Sequence, residues 1–354
     1  MSAVFDSPSF DGHETVSYAH CPETGLKAII AIHSTALGPA AGGCRMRHYD
    51  STDEALTDVL RLSRGMTYKN AMAELPLGGG KAVVIGDPET DKTDRFLESL
   101  GDAVERLGGS YWIAEDMGIG PEDMAKVARR TRYVAGLTRG KAASGDPSPV
   151  TAEGVFRGLK IAVKHKLQRP SVKGLTIAIQ GIGHVGYGLA RLLHDAGACL
   201  VVADVNESAL KAAVSEFGAD VVDPEAIYDV DADVFAPCAA GAILNATTIP
   251  RLKVPVVAGA ANNQLDGPES GALLQERGIL YAPDYVINGG GIINVAAEIS
   301  GNYDPEWVRA KLDRLMQTLD AVFTEAARQD LPPGEVADRI ARQRIEEARL
   351  RKAG

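Results

Sequence analysis

The chain of 354 residues is long enough for two domains, and 45% of its residues are hydrophobic, as in an ordinary soluble protein. Its 37 Lys and Arg against 47 Asp and Glu give a net charge of −10, which offers no electrostatic reason to bind nucleic acid or an anionic membrane. No segment reaches the roughly 18 apolar residues of a transmembrane helix, and the N-terminus lacks the apolar core of a secretion signal. The four cysteines are scattered, so we expect a cytoplasmic protein with neither a disulfide framework nor a metal site.

The first half of the chain alternates between strand-like and helix-like patterns, which is typical of α/β proteins. Residues 26–33 are predicted as a strand, and residues 38–43 as a turn rich in Gly, Pro and Ala. A helix is predicted from its N-cap at Thr52 to about residue 74. Three glycines at 78–80 are predicted to interrupt regular secondary structure before a buried strand at 82–85.

The second half begins at a predicted domain junction, residues 144–154, which contains two prolines, two glycines and two serines. A regular series follows, with strands predicted at 175–179 and 199–203 and a helix at 184–196. Two long helices are predicted to close the chain.

A glycine fingerprint separates the strand at 175–179 from the helix after it. Gly181 allows a tight turn, Gly183 lets the backbone approach a pyrophosphate, and Gly186 lets the helix and strand pack closely. Asp204 ends the next strand about 20 residues later, where a carboxylate accepts hydrogen bonds from the adenosine ribose. Its charge would repel a 2′-phosphate, so this unit predicts NAD rather than NADP. The alternative is a glycine-rich turn followed by a surface aspartate.

Two lysines and one aspartate are candidates for chemistry. Lys81 leads an apolar strand, where burial and a second cation such as Lys69 would favour the neutral amine that a general base requires. Asp116 ends another predicted strand and could carry protons in the same site. The alternatives are solvated lysines and an aspartate that caps a helix. No zinc-protease or serine-hydrolase motif is present.

Six segments of the chain resemble the leucine, phenylalanine and valine dehydrogenases, which belong to the glutamate dehydrogenase superfamily. They are residues 38–45, 63–71, 78–81, 114–116, 259–264 and 282–288. The resemblance implies an α/β fold with two domains and a cleft between them. Residues 1–147, joined by the C-terminal helix at about 330–354, would form the substrate-binding and oligomerisation domain. Residues 148–329 would form a Rossmann-type NAD-binding domain.

The resemblance also implies a role for each site residue. Lys69 would hold the substrate α-carboxylate, Lys81 would be the catalytic lysine, and Asp116 would shuttle protons to the α-amino group. The other implied substrate-binding residues are Ala41, Gly42, Gly43, Met66, Ala114, Asn262, Ile292 and Val295. The implied cofactor-binding residues are Arg45, Ser148, Thr151, Gly181, Ile182, Gly183, His184, Val185, Gly186, Asp204, Val205, Ala239, Ala240, Gly241, Ala261, Asn262 and Asn288.

The substrate side chain is expected to be apolar. Glutamate dehydrogenases place a lysine where this chain has Ala41, and a glutamate carboxylate without that cation would lose its partner. The choice among leucine, valine, isoleucine and phenylalanine stays open, because Ala114 and Val295 are similar to the leucine and valine enzymes whereas residues 34–43 are similar to some phenylalanine enzymes. Cys44 stands where threonine is usual, and Gly289 and Ala297 also depart from the family pattern.

The expected activity is the reversible, NAD-dependent oxidative deamination of an apolar L-amino acid to its 2-oxo acid, ammonia and NADH. The resemblance further implies a homo-oligomer. One alternative is a 2-hydroxy-acid dehydrogenase, which would need a catalytic histidine with an arginine clamp for the carboxylate. The other is a catalytically silent NAD-binding regulator.

Overall fold

The structure is a computed structural model, and it describes residues 4–137, 145–301 and 303–353. The chain divides into two compact units. Unit 1 consists of Met1–Asp146, Ile292–Val308 and Ala341–Gly354, and unit 2 consists of Pro147–Gly291 and Arg309–Ile340. Ser144, the first residue of the predicted junction, lies outside the described residues.

The strands and helices alternate along most of the chain. The strands are β1 Thr15–Cys21, β2 Leu26–Ser34, β3 Ala40–Arg47, β4 Gly78–Ile85, β5 Tyr111–Glu115, β6 Thr176–Gln180, β7 Cys199–Ala203, β8 Asp220–Val221, β9 Val234–Pro237, β10 Val256–Val257 and β11 Leu280–Tyr281. The helices are α1 Thr52–Met72, α2 Asp94–Glu105, α3 Pro121–Val127, α4 Ser148–Leu167, α5 His184–Asp195, α6 Glu207–Phe217, α7 Pro268–Glu276, α8 Asp284–Ile287, α9 Gly290–Ile299, α10 Pro305–Gln329 and α11 Pro333–Ala353. Short 3₁₀ helices lie at Val4–Asp6, Ala226–Asp229 and Ile249–Arg251.

Unit 1 is built on a mixed sheet with the strand order β1-β2-β4-β3-β5. Strand β2 runs antiparallel to β1 and β4, whereas β3 runs parallel to both β4 and β5. Helix α1 packs on one face through an apolar stripe that includes Leu56, Val59 and Leu60. Apolar side chains of α2 and α3 pack in the core on the opposite face, with Cys44 and Ala82 of the sheet. Because strand residues alternate between faces, Lys81 points away from Ala82, toward the α1 side.

The predicted turn at 38–43 is wrong, because most of it belongs to β3, a strand with a neighbour on each side. A Cβ atom on Gly42 would lie 1.9 Å from the carbonyl oxygen of Gly80, so the glycine serves close backbone approach. The glycines at 78–80 do not interrupt regular secondary structure either, because they are the first residues of β4. The local sequence around these glycines indicates a turn, because it carries no information on close packing by a neighbouring strand.

Helix α1 matches its predicted position, but its N-cap is Ser51 and not Thr52. The Ser51 hydroxyl accepts a hydrogen bond of 3.1 Å from the backbone N–H of Glu54. The Glu54 carboxylate in turn accepts one of 2.8 Å from the backbone of Asp50. The first bond satisfies a backbone donor that the first helical turn leaves unpaired, and the second fixes the chain just before the N-cap.

Unit 2 contains a six-stranded, fully parallel sheet with the order β11-β10-β9-β6-β7-β8. The first strand of the unit therefore lies in the middle, and the chain builds the sheet outward first in one direction and then in the other. This is the order of the doubly wound dinucleotide-binding fold. The predictions of an α/β fold and of a Rossmann-type domain are confirmed.

Within the described ranges, none of the helices combines the length and the hydrophobicity that a membrane span requires.

Candidate active site

The structure brings Lys81 and Asp116 into direct contact. Lys81 lies on β4 with only 6% of its surface exposed, and Asp116 follows directly after the last residue of β5. The Lys81 ammonium donates a hydrogen bond to Oδ2 of Asp116. The sequence predicted that Asp116 could carry protons at the site of Lys81, and the two groups are in contact in the structure. A buried ammonium and a partly buried carboxylate in contact can pass a proton between them.

The charge of Asp116 is stabilised by two cations. Burial acts to raise the pKa of this carboxyl, but the Lys81 ammonium and then the Arg45 guanidinium outweigh burial and lower the pKa to about 2. The backbone N–H of Met117 adds a hydrogen bond of 2.7 Å to Oδ1. Asp116 is therefore ionised at neutral pH and ready to accept a proton.

Two glycines of β3 lie beside this pair. A Cβ atom on Gly43 would lie 3.2 Å from the Lys81 nitrogen and 2.8 Å from Cβ of Asp116, so a side chain there would crowd both groups. The Tyr111 hydroxyl donates hydrogen bonds of 2.8 Å and 3.2 Å to the carbonyl oxygens of Gly42 and Gly43. The backbone beside the Lys81–Asp116 pair is thus held in place from the adjacent strand β5.

Helix α1 carries the other predicted lysine, Lys69, in its last turn. The helix packs tightly on the sheet here, because a Cβ atom on Gly79 would lie only 2.0 Å from the backbone nitrogen of Thr67. Lys69 lies two residues after Thr67, and Lys81 lies two residues after Gly79. Lys69 therefore lies on the helix, and Lys81 on the strand, that meet at this contact.

The side chains predicted to line the substrate pocket are largely buried. Ala41 and Ala114 lie on the adjacent strands β3 and β5 and are 1% and 8% exposed. Met66 of α1 would contact a Cβ atom on Gly42, at 3.0 Å from its Cγ. Ile292 and Val295 belong to unit 1 and are also buried.

The glycine fingerprint of unit 2 connects β6 to α5. Gly181 has a φ of +95° and leaves no room for a side chain, because a Cβ atom would lie 2.7 Å from Cβ of Ala239. A Cβ atom on Gly186 would lie 2.0 Å from the carbonyl oxygen of Gly181. Gly183 differs, because no described atom lies within 4 Å of a Cβ placed there. The backbone at Gly183 is thus open where α5 begins, and helix N-termini bind phosphate groups.

Asp204 faces this loop from the end of β7. Its carboxylate accepts hydrogen bonds from the backbone N–H groups of Ile182, at 2.5 Å, and Asn206, at 2.8 Å. Val205 beside it is 91% exposed. An exposed apolar side chain suits contact with the base of an adenosine, and a carboxylate beside it suits hydrogen bonds from the ribose hydroxyls.

The remaining predicted cofactor residues of unit 2 lie in α4, in α5, directly after β9 and in the segment 261–288. Asn288 donates hydrogen bonds to the carbonyl oxygen of Ala260, at 3.0 Å, and to Oδ1 of Asn262, at 2.9 Å, while its own Oδ1 is buried without a partner among the described residues. In α4, the Thr151 hydroxyl donates to the carbonyl oxygen of Pro147. The other members are Ser148 in α4, His184 and Val185 in α5, Ala239, Ala240 and Gly241 after β9, and Ala261.

A separate cavity of about 410 Å³ lies entirely within unit 2. Its apolar lining includes Leu265, Ile279 and Phe323. None of the predicted site residues lines it, so its volume does not identify the place of the chemistry.

The structure also places two residues at the site that the sequence did not suggest. Asp58 of α1 lies 3.3 Å from the guanidinium of Arg45, and the hydroxyl of Tyr49 donates to Asp58 at 2.8 Å. Arg45 was predicted to bind the cofactor, and it lies between Asp58 and Asp116. No motif identifies Asp58, because its sequence pattern does not distinguish it from other acidic residues on the polar face of a helix.

Two protein-family models match this chain. The dimerisation domain of the Glu/Leu/Phe/Val dehydrogenases matches residues 13–133, and the Glutamate/Leucine/Phenylalanine/Valine dehydrogenase domain matches residues 202–353. Leucine dehydrogenase of Geobacillus stearothermophilus is 50% identical over 95% of this chain and 92% of its own length. The chain belongs to the Glu/Leu/Phe/Val dehydrogenase family.

Other members of the Glu/Leu/Phe/Val dehydrogenase family are nearly as similar. Phenylalanine dehydrogenase of Thermoactinomyces intermedius is 43% identical over 98% of this chain and 94% of its own length. The crystal structure of L-tryptophan dehydrogenase from Nostoc punctiforme superposes with a TM-score of 0.81 at 43% identity, covering 96% of this chain and 97% of the other. The predicted family and the predicted class of enzyme, an amino-acid dehydrogenase, are confirmed.

Proposed function

We propose that the protein catalyses the reversible, NAD-dependent oxidative deamination of an apolar L-amino acid. The observation that carries this proposal is the buried contact between Lys81 and Asp116 beside the side-chain-free backbone of Gly42 and Gly43. It places two groups that exchange protons next to each other, on a backbone whose glycines let the neighbouring strands pack closely. Deamination needs such a pair, because one proton-transfer group must serve the nitrogen and another must serve water.

The substrate is an α-amino acid whose carboxylate binds the ammonium of Lys69. Asp116, ionised because of Lys81 and Arg45, accepts a proton from the substrate ammonium and leaves a neutral amine. The hydride then leaves the α-carbon, and the substrate becomes an iminium. Bound NAD supplies the acceptor for that hydride.

Lys81 acts on the water that attacks the iminium carbon. Lys81 first releases the proton of its ammonium to solvent, and its neutral amine then takes one proton from this water as the carbon–oxygen bond forms, giving a carbinolamine. Asp116 returns its proton to the amino nitrogen, the carbon–nitrogen bond breaks, and ammonia leaves. The hydroxyl proton passes to solvent, which completes the 2-oxo acid. The Lys81 ammonium, formed by the proton taken from water, stabilises the negative charge that develops on the oxygen.

The residues of unit 2 suit NAD. The open backbone at Gly183 and the start of α5 would hold the pyrophosphate, and the Asp204 carboxylate would accept hydrogen bonds from the ribose hydroxyls. The Oδ1 of Asn288, which has no hydrogen-bond partner among the described residues, would accept a hydrogen bond from the nicotinamide carboxamide. A 2′-phosphate would meet the charge of Asp204, which favours NAD over NADP.

The substrate side chain is proposed to be apolar. Ala41 occupies the position where glutamate dehydrogenases carry a lysine, and Ala41, Ala114, Ile292 and Val295 are all buried. The names of the relatives, which act on leucine, phenylalanine and tryptophan, support this class. A difference of one methylene changes discrimination by only ~1–3 kcal/mol, so activity on several apolar amino acids is expected.

A homo-oligomer is also proposed. The support is the match of residues 13–133 to a domain described as the dimerisation domain of this family.

The proposed function is tested by following NADH formation with a panel of L-amino acids that includes leucine, valine, phenylalanine and glutamate. We expect turnover with the apolar members and far less with glutamate. Lys81→Ala should abolish turnover while NAD binding stays near normal, because Lys81 lies in unit 1 and the fingerprint lies in unit 2. Lys92→Ala is the matched control, since Lys92 pairs with Asp123 in the same unit. Substantial activity of Lys81→Ala would contradict the proposal.

A further inference from the structure

Arg45 lies between two carboxylates and uses its nitrogens unequally. Its Nη1 is 3.3 Å from both oxygens of Asp58, whereas its Nε is 3.7 Å from Oδ2 of Asp116. The second distance is too long for a hydrogen bond. The Nε–H is buried and has no hydrogen-bond partner among the described residues. A buried donor without a partner is costly, so its position next to a carboxylate calls for an explanation.

Asp58 is itself held on two sides. It accepts from the Arg45 guanidinium and from the Tyr49 hydroxyl, at 2.8 Å. Tyr49 is 4% exposed, and the Arg47 guanidinium lies 3.9 Å above its ring. Tyr49, Asp58 and Arg45 therefore form a fixed chain of side chains that ends at Asp116.

We propose that Arg45 is a positioning residue for Asp116. Its Nε–H donates a hydrogen bond to the Asp116 carboxylate when Lys81 moves from Asp116 to the substrate. Asp58, which is fixed by Tyr49, holds Arg45 in the position that this bond requires. This inference rests on the proposed function, in which Lys81 and Asp116 act on different atoms of the substrate.

The energetic reason lies in the double duty of Lys81. While Lys81 donates to Asp116, the carboxylate has a charged partner. When Lys81 acts on water or on the substrate oxygen, the partly buried carboxylate would lose that partner. A shift of about 0.9 Å would bring Asp116 from 3.7 Å to the ordinary length of a charge-assisted hydrogen bond with Arg45. The shift is small enough for a side-chain movement.

An arginine suits this task better than a second lysine. A guanidinium stays protonated at every working pH, so it stabilises the carboxylate without competing for the proton that Asp116 carries. Its planar fork also lets one residue contact Asp58 through Nη1 while Nε faces Asp116. Tyr49 and Asp58 supply the rigidity that this geometry requires.

The test compares wild type with Asp58→Asn, Tyr49→Phe and Arg45→Lys, with Asp102→Asn as the matched control. Asp102 pairs with Arg130 at 2.8 Å on the surface of the same unit and touches none of the site residues. For each protein we would measure kcat, the KM values for amino acid and NAD, the solvent deuterium isotope effect and the isotope effect of the α-deuterated substrate.

In Asp58→Asn we expect kcat to fall about tenfold, with both KM values within about twofold of wild type, because proton transfer through Asp116 slows while binding persists. The solvent isotope effect should rise and the α-deuterium effect should fall, since proton transfer becomes rate-limiting. Arg45→Lys should behave in the same way, and Tyr49→Phe should show a smaller change. Asp102→Asn should match wild type.

Four results would overturn the inference. Unchanged isotope effects in Asp58→Asn, with loss only of folded protein, would make the chain purely structural. A raised KM for NAD in Arg45→Lys with unchanged isotope effects would return Arg45 to the cofactor site that the sequence predicted. A wild-type protein without turnover on any apolar amino acid would overturn the proposed function as well, whereas an active wild type with an unaltered Asp58→Asn variant would overturn this inference alone.

Discussion

At the scale of single residues, the site depends on which charges are buried together. Lys81, Asp116 and Arg45 form a group of two cations and one anion in unit 1, with Asp58 as a second anion farther from Lys81. The low pKa of Asp116 follows from this arrangement, because the two cations outweigh the effect of burial. Cys44 behaves differently: burial raises the pKa of its thiol to about 12, so this departure from the family is a core residue and not a nucleophile.

The charge of Asp204 is expected to select the cofactor. Replacing it with Asn keeps an oxygen that can accept from the loop backbone, as Asp204 does from Ile182, but removes the charge that repels a 2′-phosphate. We expect the kcat/KM ratio of NADP to NAD to rise at least about tenfold. The ratio is measured by NADH and NADPH formation with one amino acid.

The control for this experiment is Asp223→Asn. Asp223 follows the neighbouring strand β8 and accepts a backbone hydrogen bond of 2.8 Å from Glu225, so it resembles Asp204 in its local role. Its replacement should leave the cofactor ratio unchanged. An Asp204→Asn protein with the wild-type ratio would remove Asp204 from the discrimination between cofactors.

At the scale of secondary-structure elements, the site is made by the close approach of β3, β4, β5 and α1. Glycines on β3 and β4 allow this approach, since side chains at Gly42 and Gly79 would overlap the backbone of Gly80 and Thr67. Parallel pairing then aligns Gly43 with Ala114, two residues before Asp116. The sequence predicted the helix and two of these strands, and it missed β3 because its glycines indicate a turn when read locally.

Gly42→Ala and Gly65→Ala should have opposite effects on stability. A Cβ atom at Gly42 would lie 1.9 Å from a backbone oxygen that cannot move without disturbing β4, and we expect a loss of about 3 kcal/mol. Gly65 lies inside α1 with no described atom within 4 Å of an added Cβ, so alanine there should stabilise the helix by up to about 1 kcal/mol. Urea unfolding measures both changes, and equal effects of the two variants would contradict the close-approach explanation.

At the scale of the whole molecule, unit 1 contains a buried histidine whose charge state couples folding to pH. His33 contacts the hydroxyl of Thr67 at 2.8 Å, and its ring lies 4.9 Å from that of His13. Burial and then the neighbouring His13 lower the pKa of His33 from 6.5 to about 4, although Asp11 acts in the opposite direction. The folded protein therefore keeps His33 neutral over a pH range in which the unfolded chain binds a proton.

The sign of the resulting pH effect follows from linkage. Between pH 6.5 and pH 4 the unfolded state binds more protons than the folded state at this residue, so stability is lost as the pH falls. We expect His33 to account for about 2 kcal/mol of loss between pH 7 and pH 5. Urea unfolding of His33→Asn should show a flatter dependence on pH than wild type. His48→Gln, at a side chain that is 84% exposed, should keep the wild-type slope, and parallel slopes for all three proteins would contradict this assignment.

Much of the fold and of the chemistry is encoded in short stretches of sequence. The period of apolar residues defines α1, and the strand, glycines, helix and carboxylate around Gly181 form one continuous segment, so their meaning survives without coordinates. Other features depend on residues far apart in the chain. The strand identity of Gly42 depends on Gly80, and the ionisation of Asp116 depends on Lys81 and Arg45. Local patterns report backbone preference and spacing, whereas ionisation and close packing arise from through-space contacts that only the folded chain creates.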